Sequence, residues 1–559
     1  MQVKHPGVLV FVSLIVSVAL LTASGRSRLS AHPVDAMHSI RVDGGLLAAA
    51  PADAAGVRAF KGIPYAAPPV GQRRWQAPAP VEAWTGVSTV EKFGAPCMQT
   101  PLAGYDNSLA ASDSEDCLSL NLWTAAKSRG EKLPVLVWFH GGAFVIGSGA
   151  ASEINGASLA ARGLIVVTVN YRIGPFGFLA HPELTTEAPQ HTSGNYALLD
   201  QVAALGWVQR NIAAFGGDPK RVTISGSSAG GTSVNVLMVS PLAKGKFSRV
   251  IANSGAALPT TGVDDSSPLP RSIEENKGLH FARSVGARNL AELRALPAET
   301  LAAAAGGQWG AWAWNASIDG YVLPAAPGDI FARGRQSDVP LMIGWTGNEG
   351  ATMGLATFGD DRESFRDQIV ARFGQASEEV FRLYPVGSLD AERASKVALA
   401  GDGFIGFPSW RWITAQQRTG KQPIFVYQFN HAPPVPPDYG KGTMLGAPGA
   451  FHGAQTRYFF GTLPSGWKLT EADRNLSATL QSYWINFART GNPNGGGLSV
   501  WTAYDGTAPQ KLYIDATGAR SAPDAELERF VALERLFRES PAAMRFRGMD
   551  TARWKDAPH

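Results

Sequence analysis

Three runs of this chain are dominated by apolar, β-branched residues: PVLVWF at Pro134–Phe139, LIVVTV at Leu164–Val169 and RVTIS at Arg221–Ser225. A strand with one wet face alternates polar and apolar side chains, so the near-continuous apolar runs at Pro134–Phe139 and Leu164–Val169, with the β-branched run that follows them, read as strands covered on both faces, the habit of parallel sheets. Between the second and third runs, Leu198, Leu199, Val202, Leu205, Val208 and Ile212 recur at helical spacing within Asn195–Phe215, which predicts a helix with one apolar face. Strand, helix and strand at this separation imply a right-handed crossover. The expected fold class is therefore α/β, a large, mostly parallel central sheet with helices on both faces.

Composition agrees with a single large core. Of 559 residues, 45% are hydrophobic and 17% charged, too apolar a balance for a disordered chain. Lys+Arg number 50 and Asp+Glu 46, leaving +4 with no run of like charge, so no nucleic-acid partner is expected. Two cysteines exclude a zinc or an iron–sulfur cluster held by cysteine alone, and neither metal nor dissociable cofactor is expected. Residues 1–25 carry Lys4 and His5, then no charge from Pro6 to Gly25, with an apolar run over Val8–Leu21 and small residues Ala23, Ser24 and Gly25. This pattern reads as a secretory signal peptide cleaved between about 23 and 31, leaving a secreted or periplasmic protein without stable membrane insertion. Residues 32–559 read as one domain. In an oxidising compartment Cys97 and Cys117, close in sequence, are expected to pair.

After RVTIS comes GSSAGG, in which Gly226, Ser228 and Gly230 fit GxSxG ahead of a helix-forming segment. Strand, sharp turn and helix is the setting that exposes a nucleophilic serine, and side chains at the flanking glycines would collide with the turn. The amide of Ala229 then opens a helix and can donate to a developing oxyanion. At the end of PVLVWF sits HGGAF, where Gly141 and Gly142 let backbone amides approach a substrate oxygen. His140 reads as a structural hydrogen-bonder beside that loop. A serine needs a base, and the base needs a carboxylate; in such sites the order is serine, acid, histidine. Glu349, in TGNEG after the apolar run Pro340–Trp345, is the outstanding acid. Histidines after Ser228 and clear of the terminal His559 include His431 and His452, and spacing alone leaves both open as the base.

Together these residues resemble the type-B carboxylesterase family. FGGDPKRVTISGSSAG (Phe215–Gly230) is similar to its active-site signature, and EDCLSLNL (Glu115–Leu122) to its second signature; further blocks extend the resemblance over about Ser39 to Asp515. The resemblance implies an α/β-hydrolase fold, Ser228 as nucleophile, Glu349 as acid and His452 as base. It also implies Gly141, Gly142 and Ala229 as oxyanion donors and a Cys97–Cys117 disulfide. Ser227 stands where many relatives have Glu, the Cys97–Cys117 loop has no Trp, and Gln455 replaces a frequent Glu. The first two departures argue against a choline ester. Phe144, Ser227, Trp309 and Trp312 are the candidate pocket residues. The expectation is a serine hydrolase cleaving a small-molecule carboxylic ester through an acyl-enzyme. Rival readings are a non-catalytic binding or adhesion module on the same fold, and a thioester, amide or carbamate hydrolase.

Overall fold

Ten strands form the central sheet: β1 (Arg58–Pro64), β2 (Ser119–Thr124), β3 (Leu133–Phe139), β4 (Ile165–Val169), β5 (Gly217–Ser227), β6 (Arg249–Asn253), β7 (Leu341–Thr346), β8 (Ile424–Phe429), β9 (Gln510–Asp515) and β10 (Gly518–Pro523). The spatial order is β10-β9-β8-β7-β6-β5-β3-β4-β2-β1. Neighbours from β9 through β4 run parallel, whereas β10, β2 and β1 add antiparallel edges. The computed structural model describes residues 39–99, 112–259, 267–305, 314–351, 364–439 and 449–539. The expected signal peptide, Trp309, Trp312 and His559 fall outside the described residues.

The unalternating runs are explained by two cores. In β3, Val135, Val137 and Phe139 enter one apolar cluster while Leu136 and Trp138 enter the other, on the opposite face. Successive side chains of a strand point to opposite faces, so both sets must be apolar when both faces are covered. The first cluster is closed by helices that include α1 (Tyr196–Asn211) and α2 (Ala229–Val239). The second is closed largely by α3 (Glu471–Thr490), whose Trp484 stacks on Phe459 with ring centroids 4.4 Å apart. Among the described residues no helix is long and apolar enough to cross a membrane.

Helix α1 buries Leu198, Leu205 and Val208 as its spacing predicts, but Leu199 and Val202 are only half-buried, while Asp200 and Gln201 are fully buried. Gln201 Nε2 donates to Ser233 Oγ at 3.0 Å; for Asp200 the cause is Arg172. Its Nη2 and Nε donate to the two oxygens of Asp200 at 2.7 and 2.8 Å, and its backbone amide adds a third bond at 3.1 Å. Burial pushes the Asp200 carboxyl upward, and the adjacent guanidinium opposes that shift. A few residues away in space, Cys97 and Cys117 form the expected disulfide, with Cα atoms 5.0 Å apart, and tie the segment before β2 into the core.

Removing one member of a buried pair leaves the other charge uncompensated. Asp200→Ala is expected to destabilise the fold by about 3–5 kcal/mol, read as a lower urea midpoint at unchanged slope; a loss below about 1 kcal/mol would mean that Arg172 is not held by this contact.

Candidate active site

Strand β5 ends at Ser227 and α2 begins at Ala229, so Ser228 takes the whole turn, with φ 56° and ψ −123°. That region is costly for a residue with a side chain and is held here by its surroundings. A Cβ on Gly226 would lie 2.4 Å from the Gly230 carbonyl, and one on Gly230 would lie 2.1 Å from the Phe139 oxygen. The glycines are therefore required by close backbone approach, as the motif predicts. The Ser228 amide donates to the Asn253 carbonyl at 2.9 Å, pinning the turn to the end of β6.

Glu349 lies just past the end of β7, two strands from β5, and is buried. Its Oε2 meets Nδ1 of His452 at 2.5 Å, and its Oε1 accepts from Ser254 Oγ at 2.6 Å and from the Thr346 amide at 2.8 Å. Burial pushes this carboxyl up, but the His452 ring and these donors outweigh burial and leave it below its ordinary value. The acid is thus held ionised against the ring. The two loops are joined directly: Asn348 pairs with Phe451, and the Asn348 amide donates to the Ala450 carbonyl at 3.1 Å.

Behind the carboxylate, Gln455 Nε2 donates to Ser254 Oγ at 2.8 Å, leaving that hydroxyl's single hydrogen for Glu349. An ionised glutamate at 455 could not donate, so the amide has a directional role that spacing did not disclose. Ser254 itself, at φ 50°, went unnoticed in the sequence; only its place at the end of the apolar strand β6 could have marked it.

The HGGAF loop follows β3 at the same rim. A Cβ on Gly141 would lie 3.1 Å from Ser228 Cβ, so this glycine abuts the serine. Gly142, Ala143 and Phe144 have φ of 108°, 52° and 61°, a tight reversal stabilised by the Val145 and Ile146 amides on the Gly142 carbonyl. Phe144 is buried against Phe178, ring centroids 4.8 Å apart, and Ser227 is buried at the end of β5. His140 is buried, stacked on Tyr171 at 4.3 Å, and its Nδ1 donates to the Gly141 carbonyl at 2.8 Å. Burial lowers its pKa from 6.5 to about 4.

His431, the rival histidine, is committed elsewhere. Its Nε2 meets Asp473 Oδ1 at 2.8 Å, and Asp473 also accepts from Tyr458 and caps α3 through Thr470. Trp314, neighbour of the two candidate tryptophans, is buried edge-to-face on Phe281. Phe404, which carries no local sequence signal, has its ring centroid 5.3 Å from that of His452, on a π-helical turn at Asp402–Gly406. Such turns recur at functional sites. Among the described residues no His, Cys, Asp and Glu group could hold a metal ion.

The model of the carboxylesterase family matches residues 37–530. The para-nitrobenzyl esterase of Bacillus subtilis (strain 168) is 37% identical over 476 residues, covering 82% of this chain and 92% of that protein. The fumonisin B1 esterase of Sphingopyxis macrogoltabida is 34% identical over 462 residues, covering 80% and 82%. A solved para-nitrobenzyl esterase structure superposes with a TM-score of 0.73 at 33% identity, covering 90% of this chain and all of that one.

Burial of neutral His140 has a measurable consequence. The unfolded chain takes up a proton at this residue below about 6.5, whereas the folded chain resists until about 4, so stability falls as pH drops through that window. The contribution at stake is roughly 3 kcal/mol. Urea unfolding from pH 7 to pH 4.5 should show a shallower loss in His140→Asn than in the parent; equal slopes would place the proton-linked loss elsewhere.

Proposed function

The chain belongs to the carboxylesterase family and is a carboxylic ester hydrolase; from that premise we propose that Ser228, His452 and Glu349 form its catalytic triad and that turnover passes through an acyl-enzyme. The observation that carries this reading is the 2.5 Å contact between Glu349 and His452, at the strand ends where the Ser228 turn also stands. His452 takes the Ser228 proton as Oγ attacks the ester carbonyl, then returns it to the leaving alcohol. Glu349 holds the ring through Nδ1, which leaves Nε2 to accept. Water then repeats the sequence on the acyl-enzyme, with His452 again as base.

The amides of Gly141, Gly142 and Ala229 are the proposed oxyanion donors. Among the described residues, the amides of Gly141 and Gly142 have no hydrogen-bond acceptor, which supports their being available to substrate. Removing one such donor typically costs 10²–10³-fold in rate. Residues 32–559 act as one catalytic domain, and the apolar segment at Val8–Leu21 directs export to the periplasm or the medium. The substrate is a small carboxylic ester with an uncharged alcohol side. Ser227 contributes no negative charge beside the nucleophile, and the Cys97–Cys117 loop supplies no tryptophan for a quaternary ammonium.

Ser228→Ala assayed on an aryl ester should lose at least about 10³-fold in kcat, while its thermal midpoint stays close to the parent's. Turnover near the parental rate in pure protein would remove Ser228 from the mechanism. Gln455→Glu takes away the donor behind Ser254 and sets a second carboxylate beside Glu349. It should lower kcat/KM by roughly tenfold or more, the equivalent of one hydrogen bond to a charged group; an unchanged kcat/KM would show that the Ser254 relay is dispensable.

A further inference from the structure

The trans peptide joining Gly141 to Gly142 carries its carbonyl and its amide on opposite sides. Whatever holds the Gly141 oxygen on one side therefore aims the Gly142 N–H to the other. His140 holds it: Nδ1 lies 2.8 Å from that oxygen, and because a carbonyl can only accept, the ring must carry its proton on Nδ1. The ring in turn has little freedom. It stacks on Tyr171 at 4.3 Å with planes 16° apart, while the Tyr171 hydroxyl donates to the His140 carbonyl at 2.5 Å.

The far side of the contact is closed by Gly147, at φ 117°, where a Cβ would lie 2.4 Å from His140 Nδ1 and 2.6 Å from the Gly141 oxygen. Gly147 is gripped by Gln99, whose Oε1 accepts from its amide at 3.0 Å and whose Nε2 donates to its carbonyl at 3.2 Å. That same Nε2 donates to the carbonyl of Cys97, one half of the disulfide. The close approach of Gly147, held by Gln99, thus backs the one hydrogen bond that fixes the Gly141 carbonyl.

We propose that His140 is the positioning residue of the oxyanion loop: its Nδ1–H draws the Gly141 carbonyl away from the reaction site, so that the Gly142 amide is presented to the developing oxyanion before substrate arrives. This rests on the assignment of Gly142 as an oxyanion donor. The imidazole touches no substrate. Its effect is preorganisation, which lowers the barrier because no reorientation of the peptide is needed in the transition state. Burial lowers the ring's pKa to about 4, so this support does not titrate between pH 5 and pH 8.

The test uses His140→Asn and His140→Gln in the full-length enzyme. An asparagine amide nitrogen can occupy the place of Nδ1, whereas the longer glutamine reaches toward the place of Nε2 instead. Folded sites are counted by driving fluorophosphonate labelling to completion, and kcat is expressed per labelled site. His140→Gln should lose about 10²-fold in kcat with KM within threefold, and His140→Asn should stay within about tenfold of the parent. Affinity for an aryl trifluoromethyl ketone, whose hemiketal oxygen occupies the oxyanion position, should fall in parallel with kcat/KM. Equal losses in the two variants, or a kcat per labelled site within threefold of the parent in His140→Gln, would overturn the proposal. A purely structural role would reduce the labelled fraction and leave turnover per site intact.

If His140→Gln does not fold, imidazole ¹⁵N spectra of the parent decide. A ring in the Nδ1–H form, unchanged from pH 5 to pH 8 and absent in His140→Asn, is the expected signal; the Nε2–H form at that ring would contradict the proposal. Ser228→Ala run alongside separates the two readings, because its activity reports on the nucleophile whatever happens at His140.

Discussion

A sheet sealed on both faces can expose chemistry only at its strand ends. The apolar side chains of β3 through β8 are committed to two cores, so polar groups that must meet a substrate fall in the loops leaving those strands. Ser228, Ser254 and Glu349 follow β5, β6 and β7, three neighbours in the sheet, and the HGGAF loop follows β3 on the other side of β5. Ligand sites in open α/β sheets gather at the carboxyl ends of the strands for this reason. His452 follows no strand directly and reaches the rim because its loop pairs with that of Glu349.

Placing a carboxylate at such a rim is expensive unless it is fully hydrogen-bonded. Glu349 has three donors, from His452, Ser254 and Thr346, and they outweigh the cost of burial. Ser254 can give its hydrogen to Glu349 because Gln455 supplies one to it. Donation therefore runs from a core amide through Ser254 to Glu349, where it meets the proton given from the other side by the imidazole. The proposed oxyanion side follows the same rule with a neutral group: His140, whose pKa burial lowers to about 4, has one ring proton to give and gives it to the backbone.

Much of this could be read in the amino-acid order, because long buried strands and glycine-bounded turns leave local signatures. The runs at 134–139, 164–169 and 221–225 became β3, β4 and β5, although β5 extends back to Gly217 through its pairing with Leu133. Gly226 and Gly230 announced the Ser228 turn, since only close backbone contact demands glycine at both positions. Choosing between His431, after an apolar run, and His452, in a glycine-bounded loop, was not possible by spacing; the difference lies in partners distant in sequence, Asp473 for one and Glu349 for the other. Asp200 and Gln201 interrupt the apolar pattern of α1 for a similar reason, since their partners Arg172 and Ser233 lie 28 and 32 positions away. Phe404 gave no local sign and Ser254 only its place after β6, because their significance depends on what the fold sets beside them.

Peptide mapping by mass spectrometry after reaction with a fluorophosphonate tests the central claim most directly. If the strand ends assemble the proposed triad, a single adduct should form, on the peptide carrying Ser228, and it should be lost when His452 is replaced by alanine. An adduct on another serine, or labelling of Ser228 at the parental rate without His452, would contradict the account.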